Sequence, residues 1–265
     1  MRNSNVMTMP ALIRRCQQSL SHGFALAART SLDFVFPPAC LLCLEEIELA
    51  TQTVCAACRR KLRPKLADEC ARCGAPVGPF ANHADGCGQC RRESFAFDRV
   101  IRLGVYDGEM RLACLRAKAS GGGNLARGLG RLLVAEKRPL LEGLEIDLIA
   151  PIPEHWTRRL RHPHYAAETL SREISRQLHV RWDRKLLVKT RRTPKQATSP
   201  IVQRRAQQQG SFARRKSATV RGQTILLIDD ILTTGSTADA AARVLKQAGA
   251  RRVIVGVIAV SPLRK

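Results

Sequence analysis

From Phe95 onward, short apolar runs alternate along the chain with segments of helical spacing. Residues 97–106, 146–152 and 186–189 read as strands, the second ending at Pro151 and Pro153. Residues 110–118, 125–135 and 166–178 read as helices, with Leu125, Leu129, Leu132 and Leu133 on one side of the middle one. Residues 224–228, 237–248 and 253–260 form a strand, a helix and a strand. The helix carries Ala241, Val244, Leu245 and Ala248 at i, i+3, i+4, i+7 spacing, and Gly249 follows as a C-cap. Residues 119–124 are a glycine-rich loop, and the polar stretch 190–210 reads as a loop with a short helix. Strands alternating with helices predict an α/β fold with a mainly parallel sheet flanked by helices.

The pattern is different before Phe95. Residues 1–36 form a leader, helical in part, in which Leu12, Ile13, Leu20, Phe24 and Leu26 make an imperfect apolar stripe. Residues 37–94 have little hydrophobic periodicity and hold eight of the ten cysteines. A segment of that size buries too little core to fold on hydrophobic contacts alone and needs a covalent or metal staple. The expected organisation is thus a leader, a small cysteine-rich module at 37–94 and an α/β domain at 95–265.

The eight cysteines form four CxxC pairs: Cys40 with Cys43, Cys55 with Cys58, Cys70 with Cys73, and Cys87 with Cys90. Two such knuckles complete a tetrahedral four-thiolate site, so four knuckles imply two structural zinc ions. Sequential grouping is the simplest, with Cys40, Cys43, Cys55 and Cys58 on one ion and Cys70, Cys73, Cys87 and Cys90 on the other. The spacing leaves an interleaved grouping open. His83 is an alternative ligand, and Cys16 and Cys114 fall outside the pattern.

Charge adds a class of partner. The chain of 265 residues carries 45 Lys and Arg against 22 Asp and Glu, a net of +23. Residues 158–221 hold 18 basic and 3 acidic side chains, a local net of +15. Such a field favours phosphorylated partners, single-stranded DNA among them, although a solvated basic face looks the same in composition. Trp156, Tyr165 and Trp182 are the aromatic candidates for base stacking. No apolar window is long enough to span a membrane, and the N-terminus lacks a secretory h-region, so a cytoplasmic location is expected. A reducing compartment fits metal-bound cysteines better than disulfides.

The most specific chemistry lies at 225–237, ILLIDDILTTGST. The apolar run 225–228 reads as the strand, with Asp229 and Asp230 after it. Thr233, Thr234, Gly235, Ser236 and Thr237 make the turn into a helix. Hydroxyls, a glycine allowing close backbone approach and the free N–H groups of a helix N-terminus suit a phosphate. Two carboxylates facing that phosphate would repel it. They are better placed accepting hydrogen bonds from ribose hydroxyls, or near a divalent cation. No GxxxxGK[ST] motif is present, so an NTPase P-loop is unsupported.

An apolar strand, two acids and TTGST together resemble the signature of type I phosphoribosyltransferases. The cysteine knuckles ahead of it narrow the resemblance to the competence-protein ComF family, a double zinc ribbon followed by a phosphoribosyltransferase domain. Tyr106 and Gly108, then Leu115, Lys118 and Gly121, resemble that family's Y-x-G and L-x-x-K-x-x-G region. IAPIP at 149–153 is similar to its V-P-V-P strand. Arg191, Thr193 and Gln196, then Arg205 and 210–212, resemble R-x-T-x-x-Q…R…G-x-F. The family's R-G-F/Y-N-Q is replaced here by RHPHY at 161–165, and an expected Asn by Gln207.

The resemblance implies a loop that holds the 5-phosphate of phosphoribosyl pyrophosphate (PRPP) or a related phosphorylated ribose. It places Asp229 and Asp230 on the ribose hydroxyls and brings magnesium with the pyrophosphate. It also implies a role in DNA uptake alongside other uptake proteins. In an enzyme the two aspartates would be the catalytic pair, holding the ribose as charge develops at its anomeric carbon, with Lys118 or Arg191 neutralising pyrophosphate. A single-stranded-DNA-binding module and a PRPP sensor without turnover are the competing readings. The loss of Gly, Asn and Gln at 161–165 favours binding over transfer.

Overall fold

The computed structural model describes residues 37–47, 53–63, 69–78, 86–155, 165–191, 210–215 and 219–261. The leader, Cys16, His83, Trp156, residues 161–164, Thr193, Gln196, Arg205 and Gln207 lie outside them. Two compact units are present, Met1–Cys55 and Ala56–Lys265.

In the first unit, the knuckle at Cys40 is a tight turn closed by an antiparallel bridge between Ala39 and Glu46. Cys40 N–H donates to Glu45 O at 2.8 Å, and Leu44 N–H to Cys40 O at 2.8 Å. The same turn recurs in the second unit at Cys70. There Glu69 bridges Pro76, Cys70 N–H donates to Ala75 O at 2.9 Å and Gly74 N–H to Cys70 O at 2.7 Å. Both turns need a positive φ at the fifth residue, supplied by Leu44 (67°) and Gly74 (71°).

The second unit opens with helix α1 (Ala56–Leu62) and contains a five-stranded parallel sheet. Its strands are β1 (Arg99–Val105), β2 (Leu148–Pro151), β3 (Arg181–Trp182), β6 (Thr224–Leu232) and β7 (Arg252–Val260), in the order β1-β7-β6-β2-β3. A separate antiparallel pair joins β4 (Leu187–Lys189) to β5 (Phe212–Arg214). The helices are α2 (Gly108–Lys118), α3 (Gly123–Glu142), α4 (Ala166–Leu178) and α5 (Ser236–Gln247).

Strands β6 and β7 are central because both of their faces are apolar. Ile225 and Leu227 join Ala238, Ala241, Ala242 and Leu245 of α5 in one buried cluster. By the two-residue strand period, Leu226 and Ile228 face the opposite side of the sheet, and α4 packs on β2 and β6. Gly256 on β7 faces Ile228 across the register, and a Cβ there would lie 2.7 Å from Ile228 Cδ1. The close approach of β6 and β7 thus depends on that glycine.

Three sequence expectations change. Strand β6 does not stop at Ile228. It runs through both aspartates to Leu232, because the nine-residue strand β7 supplies partners: Asp229 opposes Val257, and Ile231 opposes Ala259. Helix α3 extends to Glu142 despite Pro139. A proline in the last turn forfeits one hydrogen bond, and Gly143 N–H still closes on Pro139 O at 3.2 Å. Strands β3 and β5, of two and three residues, are too short to show alternation in sequence.

Candidate functional site

The site lies at the C-terminal end of β6, where open α/β sheets bind ligands. Gly235, at φ 76°, is the N-cap of α5 and turns the chain sharply from strand into helix. A residue with a side chain there would be strained, and its Cβ would press within 3.1 Å of the Phe95 ring. Thr234 Oγ1 and Ser236 Oγ share a hydrogen bond at 2.8 Å, and Ser236 is buried. Thr233 is exposed and Thr237 half-buried. The turn therefore presents hydroxyls and the partial positive charge of a helix N-terminus, a setting that suits an anion.

The two aspartates are partly buried beside this turn. Asp229 Oδ1 accepts from Asp230 N–H at 2.8 Å, and Asp230 Oδ1 from Ile231 N–H at 2.7 Å, so local backbone donors fix both carboxylates. Lys118, the last residue of α2, reaches across to Asp230 Oδ2 at 2.8 Å. Desolvation works against its ammonium, but Asp230 and then Asp229 more than offset this and hold its pKa above the usual lysine value. Asp229 is pushed up to about 8, first by burial and then by the charge of Asp230. The structure thus brings Lys118 to the acid pair. Arg191 stands exposed beyond the end of β4, and among the described residues no ion pair joins it to either aspartate.

The raised pKa has a measurable consequence. Between the unfolded value near 4 and the folded value of about 8, the folded state holds a proton on Asp229 that the unfolded chain has lost. Stability without ligand therefore falls as pH rises through that window. Asp229→Asn removes this penalty. Its stability advantage over wild type is expected to grow from pH 4 to pH 8 and then level off, by at least about 1.4 kcal/mol, the equivalent of one pKa unit. Urea unfolding of both proteins across this pH range checks it, and a difference independent of pH would contradict it.

The cysteines assemble as two sets. Cys40, Cys43, Cys55 and Cys58 present ligand atoms within 4.8 Å of one another, and so do Cys70, Cys73, Cys87 and Cys90. The grouping is sequential. A tetrahedron of Zn–S bonds near 2.3 Å has sulfur–sulfur edges of about 3.8 Å. The observed edges are 3.7 Å for Cys43–Cys55, 3.7 Å for Cys70–Cys90, 3.6 Å for Cys73–Cys87 and 3.9 Å for Cys87–Cys90. Both sets fit structural zinc.

Their electrostatics agree with that fit. Burial opposes the thiolates of Cys40 and Cys70, but backbone N–H groups of each knuckle outweigh it and bring them down to about 6 and about 7. Burial pushes Cys73 up, and Cys90 up to about 11, with neighbouring thiolates adding to the effect. Four packed sulfurs without a cation cannot all ionise, and a divalent ion removes that conflict.

Other residues singled out in the sequence are engaged in packing. Trp182 donates its indole N–H to Ser171 Oγ at 3.0 Å, with the Arg172 guanidinium over its ring. The Tyr165 hydroxyl donates to Ile152 O. Cys114 is buried on α2, its thiol pushed up to about 12 by burial. Sequence reasoning missed Phe95 and Asp239, which touch the turn. An aspartate in a first helical turn is ordinary enough that it carried no signal.

Comparison with known proteins bears on both halves of the chain. Residues 31–91 match the double zinc ribbon domain and residues 163–264 the phosphoribosyl transferase domain. DNA utilization protein YhgH of Escherichia coli O157:H7 is 30% identical over 223 residues, 83% of this chain and 95% of that protein. Competence protein F of Haemophilus influenzae is 25% identical over 220 residues, 82% of this chain and 94% of that protein. Among solved structures, glutamine PRPP amidotransferase from B. subtilis overlaps 51% of this chain and 27% of its own, with 20% identity and a TM-score of 0.35. Among the described residues no helix is long and apolar enough to cross a membrane.

Proposed function

The chain belongs to the family of DNA utilization protein YhgH and competence protein F, and from that premise we propose that it acts in DNA uptake or use and binds PRPP, or a related ribose phosphate, at the turn between β6 and α5. The observation that carries the ligand reading is the division of labour along seven residues of one strand end. Thr233 to Thr237 offer hydroxyls and a helix N-terminus to the 5-phosphate. Asp229 and Asp230 offer carboxylates to the 2- and 3-hydroxyls. A ligand with both a phosphate and a vicinal diol satisfies both halves, whereas a phosphate alone leaves two partly buried carboxylates unused.

Lys118 is the residue that changes partner in this reading. It neutralises Asp230 when no ligand is bound. A pyrophosphate brought beside the acid pair competes for the ammonium, and Gly121 and Gly122 lie in the short connection between α2 and α3. Magnesium, were it bound with the pyrophosphate, would supply charge neutralisation, and Asp229 and Asp230 are the carboxylates that would be offered to it. Titration of the zinc-loaded protein with PRPP and magnesium tests the reading, and absence of saturable binding removes it.

The DNA half rests on the relatives' names and on the +15 stretch at 158–221. Single-stranded DNA is expected to bind with an affinity that falls steeply from 50 to 200 mM salt, because lysines and arginines displace condensed counterions. A filter-binding series at increasing salt checks this. No retention at the lowest salt would remove the DNA half and leave the ribose-phosphate half standing.

A further inference from the structure

We infer that Phe95 and the second four-cysteine set are positioning elements for the phosphate turn, so that the metal site helps to build the ligand site. The ligand's identity rests on the function proposed above, but the geometry does not. Phe95 packs against the cluster of Cys70, Cys73, Cys87 and Cys90, and its ring stacks on Phe97 with centroids 4.6 Å apart and planes 15° apart. The backbone of Gly235 lies against that same ring. Cys73, Cys90 and Phe95 line one pocket together with Thr233, Thr234 and Gly235.

A polar tie accompanies the apolar one. Ala96 N–H donates to Asp239 Oδ1 at 2.6 Å, and Asp239 N–H donates to Gly235 O at 2.8 Å. The segment leaving the last cysteine therefore holds the turn twice, through a ring under Gly235 and through a hydrogen bond to the first turn of α5. Gly235 sits in the left-handed region, which the surroundings must hold because glycine itself is free to leave it.

The cysteine set is in turn anchored to the sheet. Val100 N–H donates to Ala71 O at 3.0 Å, and Gly74 packs so tightly on Val100 and Val260 that a Cβ would lie 2.7 Å from Val100 Cγ1. Glu69, just before Cys70, pairs with Lys137 at 2.9 Å and with the buried Arg102 at 3.3 Å. Arg72 donates to Glu93 O within the segment that leads to Phe95. Four thiolates on one ion would fix Cys90, and with it the start of this segment. Metal loss frees that start, loosens Phe95 and removes the floor under the turn.

Amide hydrogen exchange of the full, zinc-loaded, ligand-free chain tests this. Phe95→Ala and Asp239→Ala should each speed exchange across residues 233–239 by about tenfold while β6 amides keep their rates. Phe95→Leu and Asp239→Asn should restore most of the protection, since they keep an apolar contact and an acceptor. Cys90→Ser should lower zinc from two ions to one and speed the same amides. Unchanged exchange at 233–239 in Phe95→Ala with both ions retained, or in Cys90→Ser with one ion lost, would overturn the inference, as would a uniform rise across the fold. A parallel titration with PRPP and magnesium separates the two claims. Failure of the wild type to bind counts against the proposed function, and the exchange result decides the positioning role by itself.

Discussion

Replacing Asp229 and Asp230 together by asparagine is expected to weaken PRPP binding by about a hundredfold or more. Hydrogen bonds to charged groups contribute about 1.5–3 kcal/mol each, and a neutral amide keeps only part of that for a ribose hydroxyl. Two such losses give about 3 kcal/mol, and each 1.4 kcal/mol is a factor of ten. The sign is informative because a second effect opposes it. Removing the negative charge of the acid pair from a site that receives a highly anionic ligand should by itself strengthen binding, and it frees Lys118 from its contact with Asp230 at 2.8 Å. Inorganic pyrophosphate, which has no ribose, reports that second effect alone. The double variant should therefore lose PRPP affinity while its pyrophosphate affinity holds or rises. Parallel loss of both ligands would mean that the carboxylates act on the phosphates through a cation rather than on the sugar.

The largest stability effect is expected at the second four-cysteine set. Cys70 is fully buried, and backbone N–H groups of Arg72, Cys73 and Cys87 stabilise its thiolate. Cys70→Ser replaces that thiolate with a hydroxyl that binds zinc poorly and remains neutral. Zinc content should fall from two ions per chain to one, because free energy of metal binding is folding free energy for such a module. The loss also undermines an apolar cluster that includes Ala75 and Val77. A drop in Tm on the order of 10 °C follows if several kcal/mol are lost, at about 2–4 °C per kcal/mol for a domain of this size. Atomic absorption and calorimetry measure both quantities. Two zinc ions retained in Cys70→Ser would show that Cys70 is not a ligand.

Much of this architecture is legible in the sequence, for reasons that differ by element. The helix at 166–178 is bounded in the structure as expected, because its apolar face is regular and a left-handed His179 ends it. The cysteine sets are legible because ligand spacing is a covalent constraint, yet spacing alone left their grouping open, and the sulfur–sulfur distances close that question. The end of β6 was placed too early because Asp229 and Asp230 look like loop residues. Their strand geometry depends on β7, a partner distant in sequence. The contact between Lys118 and Asp230 joins residues more than a hundred positions apart, and only the resemblance to a family put Lys118 among the candidates. Phe95 and Asp239 were invisible for the same physical reason: a residue that supports a turn from below has no local signature.

PRPP binding decides whether the turn after β6 is a ribose-phosphate cradle. Isothermal titration of the full zinc-loaded chain with PRPP and magnesium tests it most directly. Saturable binding of one PRPP per chain is expected, sharply weakened in Asp229→Asn/Asp230→Asn. Absence of saturable binding by a wild-type protein that carries both zinc ions, or equal binding by the double variant, would contradict it.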